Sequence, residues 1–129
     1  VTRSQVYREL PALAEAGLVR LGKQGPRSSQ QYVITAAGKR TFKSWLVSEA
    51  GPDHLRSPLI LRVVHAQALT PKQRASLVDT ARAAYTAQVE GSRAAAKEAN
   101  ADPYAKAVAD FATAHARAVL KLLDSVPID

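Results

Sequence analysis

Between Thr2 and Thr35 the residues are patterned as an amphipathic helix, a glycine stop and a β-hairpin with a long basic tip, and that order restricts the fold more than any other stretch. Thr2 and Gln5 have capping-box spacing, in which the threonine oxygen accepts from a first-turn amide and the glutamine reaches back. Val6, Leu10 and Leu13 follow at i, i+4 and i+7 and share one stripe of the helix. At about 100° per residue Ser4 and Arg8 point away from that stripe, with Gln5 and Tyr7 on its flanks. Gly17 supplies the left-handed stop that ends such a helix. Pro11 lies inside the pattern, where its missing N–H predicts a bend near Tyr7.

Leu18-Val19-Arg20-Leu21 and Gln31-Tyr32-Val33-Ile34 are two short β-prone runs. The segment between them, Gly22 to Ser29, is too long for a tight turn and carries glycine, proline, Lys23 and Arg27. Thr35 then caps another helix, whose apolar face is Phe42, Trp45 and Leu46, with Trp45 expected as a core anchor. Gly38 costs that helix about 1 kcal/mol relative to alanine, so a close backbone approach is expected there.

Charge is concentrated in the same region. Arg3, Arg8, Arg20, Lys23, Arg27, Lys39, Arg40 and Lys43 face only Glu9 and Glu15 before Leu46, in a chain of net charge +7. A local basic face suits a polyanion, nucleic acid first. Ser4, Gln5, Tyr7 and Arg8 would then meet base edges and phosphates of double-stranded DNA, because the N-terminal residues of a recognition helix reach deepest into the major groove. Lys23, Arg27, Ser28, Ser29 and Gln30 would lie along phosphates as a wing. Taken by itself, the helix reads more readily as an ordinary surface helix with a solvated polar face; the basic hairpin that follows it tips the balance to DNA.

Other function classes lose support from composition. There is no cysteine, so disulfides, thiolate metal sites and cysteine nucleophiles are excluded, and a cytoplasmic location is compatible. No apolar run approaches the roughly 18 residues of a spanning helix, and no leader pattern is present, so no membrane association is expected. His54, His65 and His115 form no ligand pair at i, i+4 spacing, and Gly22 and Gly25 lack the Lys-Ser/Thr of a phosphate-cradling loop. No catalytic residue, metal or cofactor is expected.

Gly51-Pro52 marks the boundary between a winged-helix part, residues 1–50, and a helical part, residues 51–129. Three helical segments are expected in the latter. The first spans Leu55 to Leu69, with Leu59, Ile60, Val63 and Val64 as its apolar residues. The second starts at Thr70-Pro71, a cap followed by a first-position proline, and carries Leu77, Val78, Ala81, Tyr85 and Val89. The third starts at Asp102-Pro103, where Tyr104, Val108, Phe111, His115, Ala118 and Leu122 approximate a 4-3 repeat. The last two suggest an antiparallel hairpin, either a monomeric bundle or half of a dimer.

The segments Ser4-Gln5-Val6-Tyr7-Arg8-Glu9-Leu10-Pro11, Ala16-Gly17-Leu18-Val19, Tyr32-Val33-Ile34-Thr35-Ala36-Ala37-Gly38 and Trp45-Leu46 resemble the winged helix of PadR-family transcriptional regulators. Leu55 to Arg62 is similar to the start of the C-terminal domain in the branch that includes virulence activators. The resemblance implies a mainly α fold with a small β-hairpin: a winged helix-turn-helix followed by an antiparallel helical dimerisation domain. It further implies a sequence-specific regulator, a repressor, that binds a pseudo-palindromic operator as a homodimer through Tyr104, Val108, Phe111, His115 and Leu122. Because relatives respond to aromatic compounds, a small aromatic effector is implied, with Tyr32, Trp45, His65 and Tyr85 as pocket residues. Family members carry two helices before the recognition helix, on the order of 30 residues, and the sequence starts at Val1 without them. The recognition helix is therefore expected to lack part of the surface that buries Val6, Leu10 and Leu13. The rival function is a helical dimerisation or interaction module without competent DNA binding.

Overall fold

A computed structural model describes residues 1–129 apart from the side chain of Ser28, so the wing role expected of Ser28 lies outside the described residues. The chain divides into two compact units, Val1–His54 and Leu55–Asp129.

The first unit contains α1 (Arg3–Glu15), β1 (Val19–Gln24), β2 (Gln30–Ile34) and α2 (Ala36–Leu46). Helix α1 starts on the expected capping box: Thr2 N–H donates to Gln5 Oε1 at 2.7 Å and Gln5 N–H donates to Thr2 Oγ1 at 3.2 Å. It runs unbroken through Pro11. At its end Gly17 adopts φ 74°, which lets Gly17 N–H reach Ala14 O at 3.0 Å and Leu18 N–H reach Leu13 O at 3.0 Å. These two bonds are a Schellman stop, and they satisfy carbonyls the helix would otherwise leave open.

The antiparallel hairpin pairs Val19 with Ile34, Arg20 with Val33 and Leu21 with Tyr32. An irregularity between Leu21 and Gln24 then brings Gln24 opposite Gln30. The tip is accordingly shorter than the sequence suggested. Gly22, Lys23 and Gln24 extend β1, because a bulge absorbs the register change. What remains is Gly25–Ser29, closed by Gly25 N–H donating to Ser29 O at 2.7 Å around a 3-10 turn at Pro26–Ser28.

Thr35 joins the pieces of this unit. Its hydroxyl donates to Gly17 O at 2.7 Å and accepts from Gly38 N–H at 3.0 Å, while its own N–H donates to Leu18 O at 3.0 Å. One residue thus caps α2, closes the hairpin and holds the exit of α1. Gly38 is the buried residue of α2. A Cβ there would overlap the Leu18 carbonyl oxygen and come within 2.8 Å of Ile34 Cγ1. Helix α2 therefore meets the hairpin backbone to backbone, as the glycine implied. Trp45 departs from expectation: it is 66% exposed and stacks on Phe42 at 5.9 Å rather than anchoring a core. The hairpin occupies the Thr35–Gly38 side of α2, which leaves Phe42, Trp45 and Leu46 on exposed faces.

The second unit contains α3 (Pro58–Val64), α4 (Pro71–Glu98) and α5 (Pro103–Asp124). Helix α3 is much shorter than the expected Leu55–Leu69 helix. Ser57 Oγ accepts from Ile60 N–H at 3.1 Å, which sets the start at Pro58, and a 3-10 turn at Ala66–Ala68 replaces the C-terminal part. Helix α4 repeats the capping box, with Thr70 N–H donating to Gln73 Oε1 at 2.9 Å. Asp102 Oδ1 caps α5 by accepting from Tyr104 and Ala105 amides. The pairings of Arg82 with Asp124 and of Ser92 with Thr113 run in opposite chain directions, so α4 and α5 are antiparallel.

The core of this unit is Val78, Leu123 and Val126, flanked by Leu59, Val63, Ala81 and Leu120. Thr113, Ala116 and Val119 extend the buried side of α5. Arg74 ties the surrounding ends together. Its guanidinium donates to Leu69 O at 2.6 Å, Ala66 O at 3.4 Å and Ile128 O at 3.1 Å. Arg74→Ala is expected to cost about 2 kcal/mol, since three carbonyls lose a charged donor at once. A lower urea midpoint by far-UV circular dichroism would show it, and an unchanged midpoint would deny the tie.

Candidate nucleic-acid interface

Local caps fix how α1 presents its polar face. With both ends of the helix pinned, Ser4, Gln5, Tyr7 and Arg8 are all exposed. Arg8 has no hydrogen-bond or ion-pair partner among the described residues. Gln5 is already occupied in part, because its carbonyl oxygen closes the capping box. A bidentate contact to adenine needs both ends of the amide, so Gln5 can offer only its NH2 group while that cap is closed.

Tyr7 is also engaged. Arg3 Nη2 donates to Tyr7 Oη at 3.4 Å, and the guanidinium carbon lies 5.7 Å from the ring centroid. This contact brings in Arg3, which the sequence reading counted only as one cation among eight. The i, i+4 Arg–Tyr spacing was the available signal.

The wing residues separate into two groups. Lys23 stands exposed on β1 and Ser29 at the loop exit. Arg27 occupies the left-handed region, φ 58° and ψ 40°, and is the described non-glycine residue with positive φ. That conformation costs a non-glycine residue roughly 1–2 kcal/mol, a strain that structures hold at functional positions. Gln30, by contrast, faces inward. Its amide nitrogen donates to Gly22 O at 3.0 Å and Gln31 O at 2.9 Å, so it braces the hairpin instead of extending to a phosphate.

Helix α1 and the wing meet at a cleft of about 420 Å³, with Arg3 and Tyr7 on one wall and Arg27, Ser29 and Tyr32 on the other. On the apolar side of α1, Val6 and Leu13 remain exposed and no residue of the helix is buried.

The residues expected to form an effector pocket fall in both units. Tyr32 lines the cleft beside α1, and Trp45 stands on α2. His65 borders a recess of about 620 Å³ with Arg62, Leu69, Gln73, Ser76 and Leu77, and Tyr85 is half-buried on α4. The residues expected to dimerise also divide. Tyr104, Val108 and Phe111 are exposed on α5, outside its buried set of Thr113, Ala116, Val119 and Leu123, and His115 stacks on Phe111 at 6.2 Å. Leu122 is half-buried and borders a recess with Val63, Val64 and Ala66 of its own unit.

Comparison with known proteins defines the class of fold. By sequence the chain matches no family model and no curated protein. Solved structures match along nearly its whole length. Bacillus subtilis PadR in complex with operator DNA superposes with a TM-score of 0.80 at 18% identity, covering 98% of this chain and 77% of that one. A PadR-like transcriptional regulator of Bacillus cereus gives 0.81 at 16% identity, over 94% of this chain and 72% of the other. The Vibrio cholerae virulence activator AphA gives 0.66 at 21% identity, over 98% and 76%. The fold is thus a winged helix with long C-terminal helices. More particularly, it is the fold of the PadR regulators.

Proposed function

We propose that the chain is a sequence-specific DNA-binding transcriptional regulator of the PadR type, a repressor that acts in the cytoplasm as a homodimer on a pseudo-palindromic operator. The observation that carries this reading is the pairing, within one small unit, of an exposed polar helix face with a basic wing. The same fold is seen on operator DNA in the B. subtilis protein. Arg8 is the base reader, since a guanidinium with no partner among the described residues can address guanine O6 and N7 together. Lys23 and Arg27 hold phosphates and position the helix.

Fluorescence anisotropy with a duplex enriched from a random pool, against a scrambled duplex, tests these roles. Arg8→Ala should cost about 1–3 kcal/mol on the enriched duplex and relax its preference. Lys23→Ala should weaken both duplexes alike. Equal losses on both for Arg8→Ala would remove Arg8 as a base reader.

The exposed side of α5 is the dimer contact in this reading. Tyr104, Val108 and Phe111 are large, hydrophobic and exposed on α5. Symmetric operators are read by paired half-site modules. Joint replacement of Val108 and Phe111 by aspartate should convert a dimer to a monomer in sedimentation equilibrium while far-UV circular dichroism is kept. A variant that stays dimeric would place the contact elsewhere.

B. subtilis PadR has also been solved with p-coumaric acid. A small aromatic acid is accordingly the effector to test here, with Tyr32, Trp45, His65 and Tyr85 as candidate contacts. The second reading, a helical interaction module, is favoured by one observation: Val6 and Leu13 lie exposed on α1. It predicts self-association without preference for any duplex.

A further inference from the structure

We infer that the cleft between α1 and the wing is a two-arm clamp for a sugar–phosphate segment of the DNA, in which Arg3 is the group α1 presents and Tyr7 positions it. The inference rests on the DNA-binding reading and assigns Arg3 and Tyr7 roles that the reading does not contain. Each wall supplies one guanidinium, Arg3 from α1 and Arg27 from the wing, and among the described residues no carboxylate lines the cleft. A guanidinium matches phosphate oxygens in a planar fork and keeps its charge at any working pH.

The Arg3 side chain and the Arg27 backbone are each held in place. Arg3 is fixed by its hydrogen bond to the Tyr7 hydroxyl and by its position over the Tyr7 ring. That contact uses one of several guanidinium donors, and the rest remain for a ligand. Arg27 is held in its left-handed conformation by a closed tip, with Gly25 and Ser29 bonded across it. The first turn of α1 carries no acidic residue, so its positive dipole end is not neutralised locally.

The volume, about 420 Å³, admits more than a lone phosphate group, and the apolar faces of Tyr7 and Tyr32 suit a deoxyribose. A helix in the major groove and a wing on the neighbouring backbone leave one strand to pass between them. Tyr7 then acts through Arg3 instead of reading a base. Phenylalanine at this position would keep the ring and lose the hydroxyl acceptor, whereas leucine would lose both.

Salt-dependent anisotropy on the full chain separates these roles. The probes are the enriched and scrambled duplexes, titrated from 50 to 200 mM salt. Arg3→Gln and Arg27→Asn should each weaken both duplexes about tenfold and flatten the log–log salt slope by about 0.9 per cleft. Asparagine tolerates the left-handed region, so the wing backbone is retained in the second variant. Tyr7→Leu should reproduce the slope change of Arg3→Gln, and the double variant should be no worse than either alone. Tyr7→Phe should fall between wild type and Tyr7→Leu.

If the wild-type chain binds and both arginine variants keep its affinity and slope, the clamp is overturned while the DNA-binding reading stands. If Tyr7→Leu relaxes the preference between duplexes at unchanged slope, Tyr7 reads a base and its positioning role is overturned. If the wild-type chain binds neither duplex at 50 mM salt, the DNA-binding reading fails, and the clamp with it.

Discussion

Gly38→Ala is expected to destabilise the N-terminal unit by about 3 kcal/mol and to weaken DNA binding with it. The added Cβ would overlap the Leu18 carbonyl oxygen and lie 2.8 Å from Ile34 Cγ1. The first of these is backbone and cannot rotate aside, so α2 must withdraw from the hairpin. Withdrawal would also strain the bonds through which Thr35 joins α1, β1 and α2. Helix propensity alone predicts the opposite sign, a gain of about 1 kcal/mol for alanine in a helix. Urea unfolding followed by the fluorescence of Trp45, the sole tryptophan and a residue of the same helix, distinguishes the two. A variant as stable as wild type would contradict the backbone-to-backbone contact.

Leu123→Ala is expected to cost the C-terminal unit about 2–5 kcal/mol. Leu123 is 1% exposed and packs with Val78 and Val126 at the centre of that unit. Its neighbours come from three helices and the tail, so they cannot collapse together into the space left by three lost carbons. The cost should appear as a lower urea midpoint with a nearly unchanged slope, because the cavity changes stability and not the surface exposed on unfolding. A loss below about 1 kcal/mol would mean that this cluster is not the core.

Features set by neighbouring residues were legible in the sequence. Thr2 with Gln5, Thr35, Thr70 with Pro71, and Asp102 with Pro103 all cap the helices their side chains announce. Gly17 and Gly38 do what a glycine in those contexts implies, a left-handed stop and a close approach. Features set by packing were less legible. The bulge that carries β1 on to Gln24 has no local signature, so the wing looked longer than it is. The 4-3 stripe of α5 is apolar, yet its Tyr104, Val108 and Phe111 stay exposed while Thr113, Ala116, Val119 and Leu123 are buried. The placement of the neighbouring elements, and not the periodicity of α5, decides which residues are covered. Within the candidate interface, Arg8 and Lys23 needed only their exposure. Arg3 needed Tyr7 beside it, and the inward turn of Gln30 needed the carbonyls of Gly22 and Gln31.

The exposed Val6 and Leu13 and the paired arginines of the cleft bear on the same question, whether this unit engages DNA with sequence preference. The most direct measurement is the affinity of the wild-type chain for an enriched pseudo-palindromic duplex and its scrambled counterpart from 50 to 200 mM salt. With Arg3, Lys23 and Arg27 on phosphates in each half of a dimer, the log–log slope should be about −5. At fixed salt the enriched duplex should be favoured by about 10³ or more. Equal affinity for both duplexes, or binding indifferent to salt, would contradict a sequence-reading regulator.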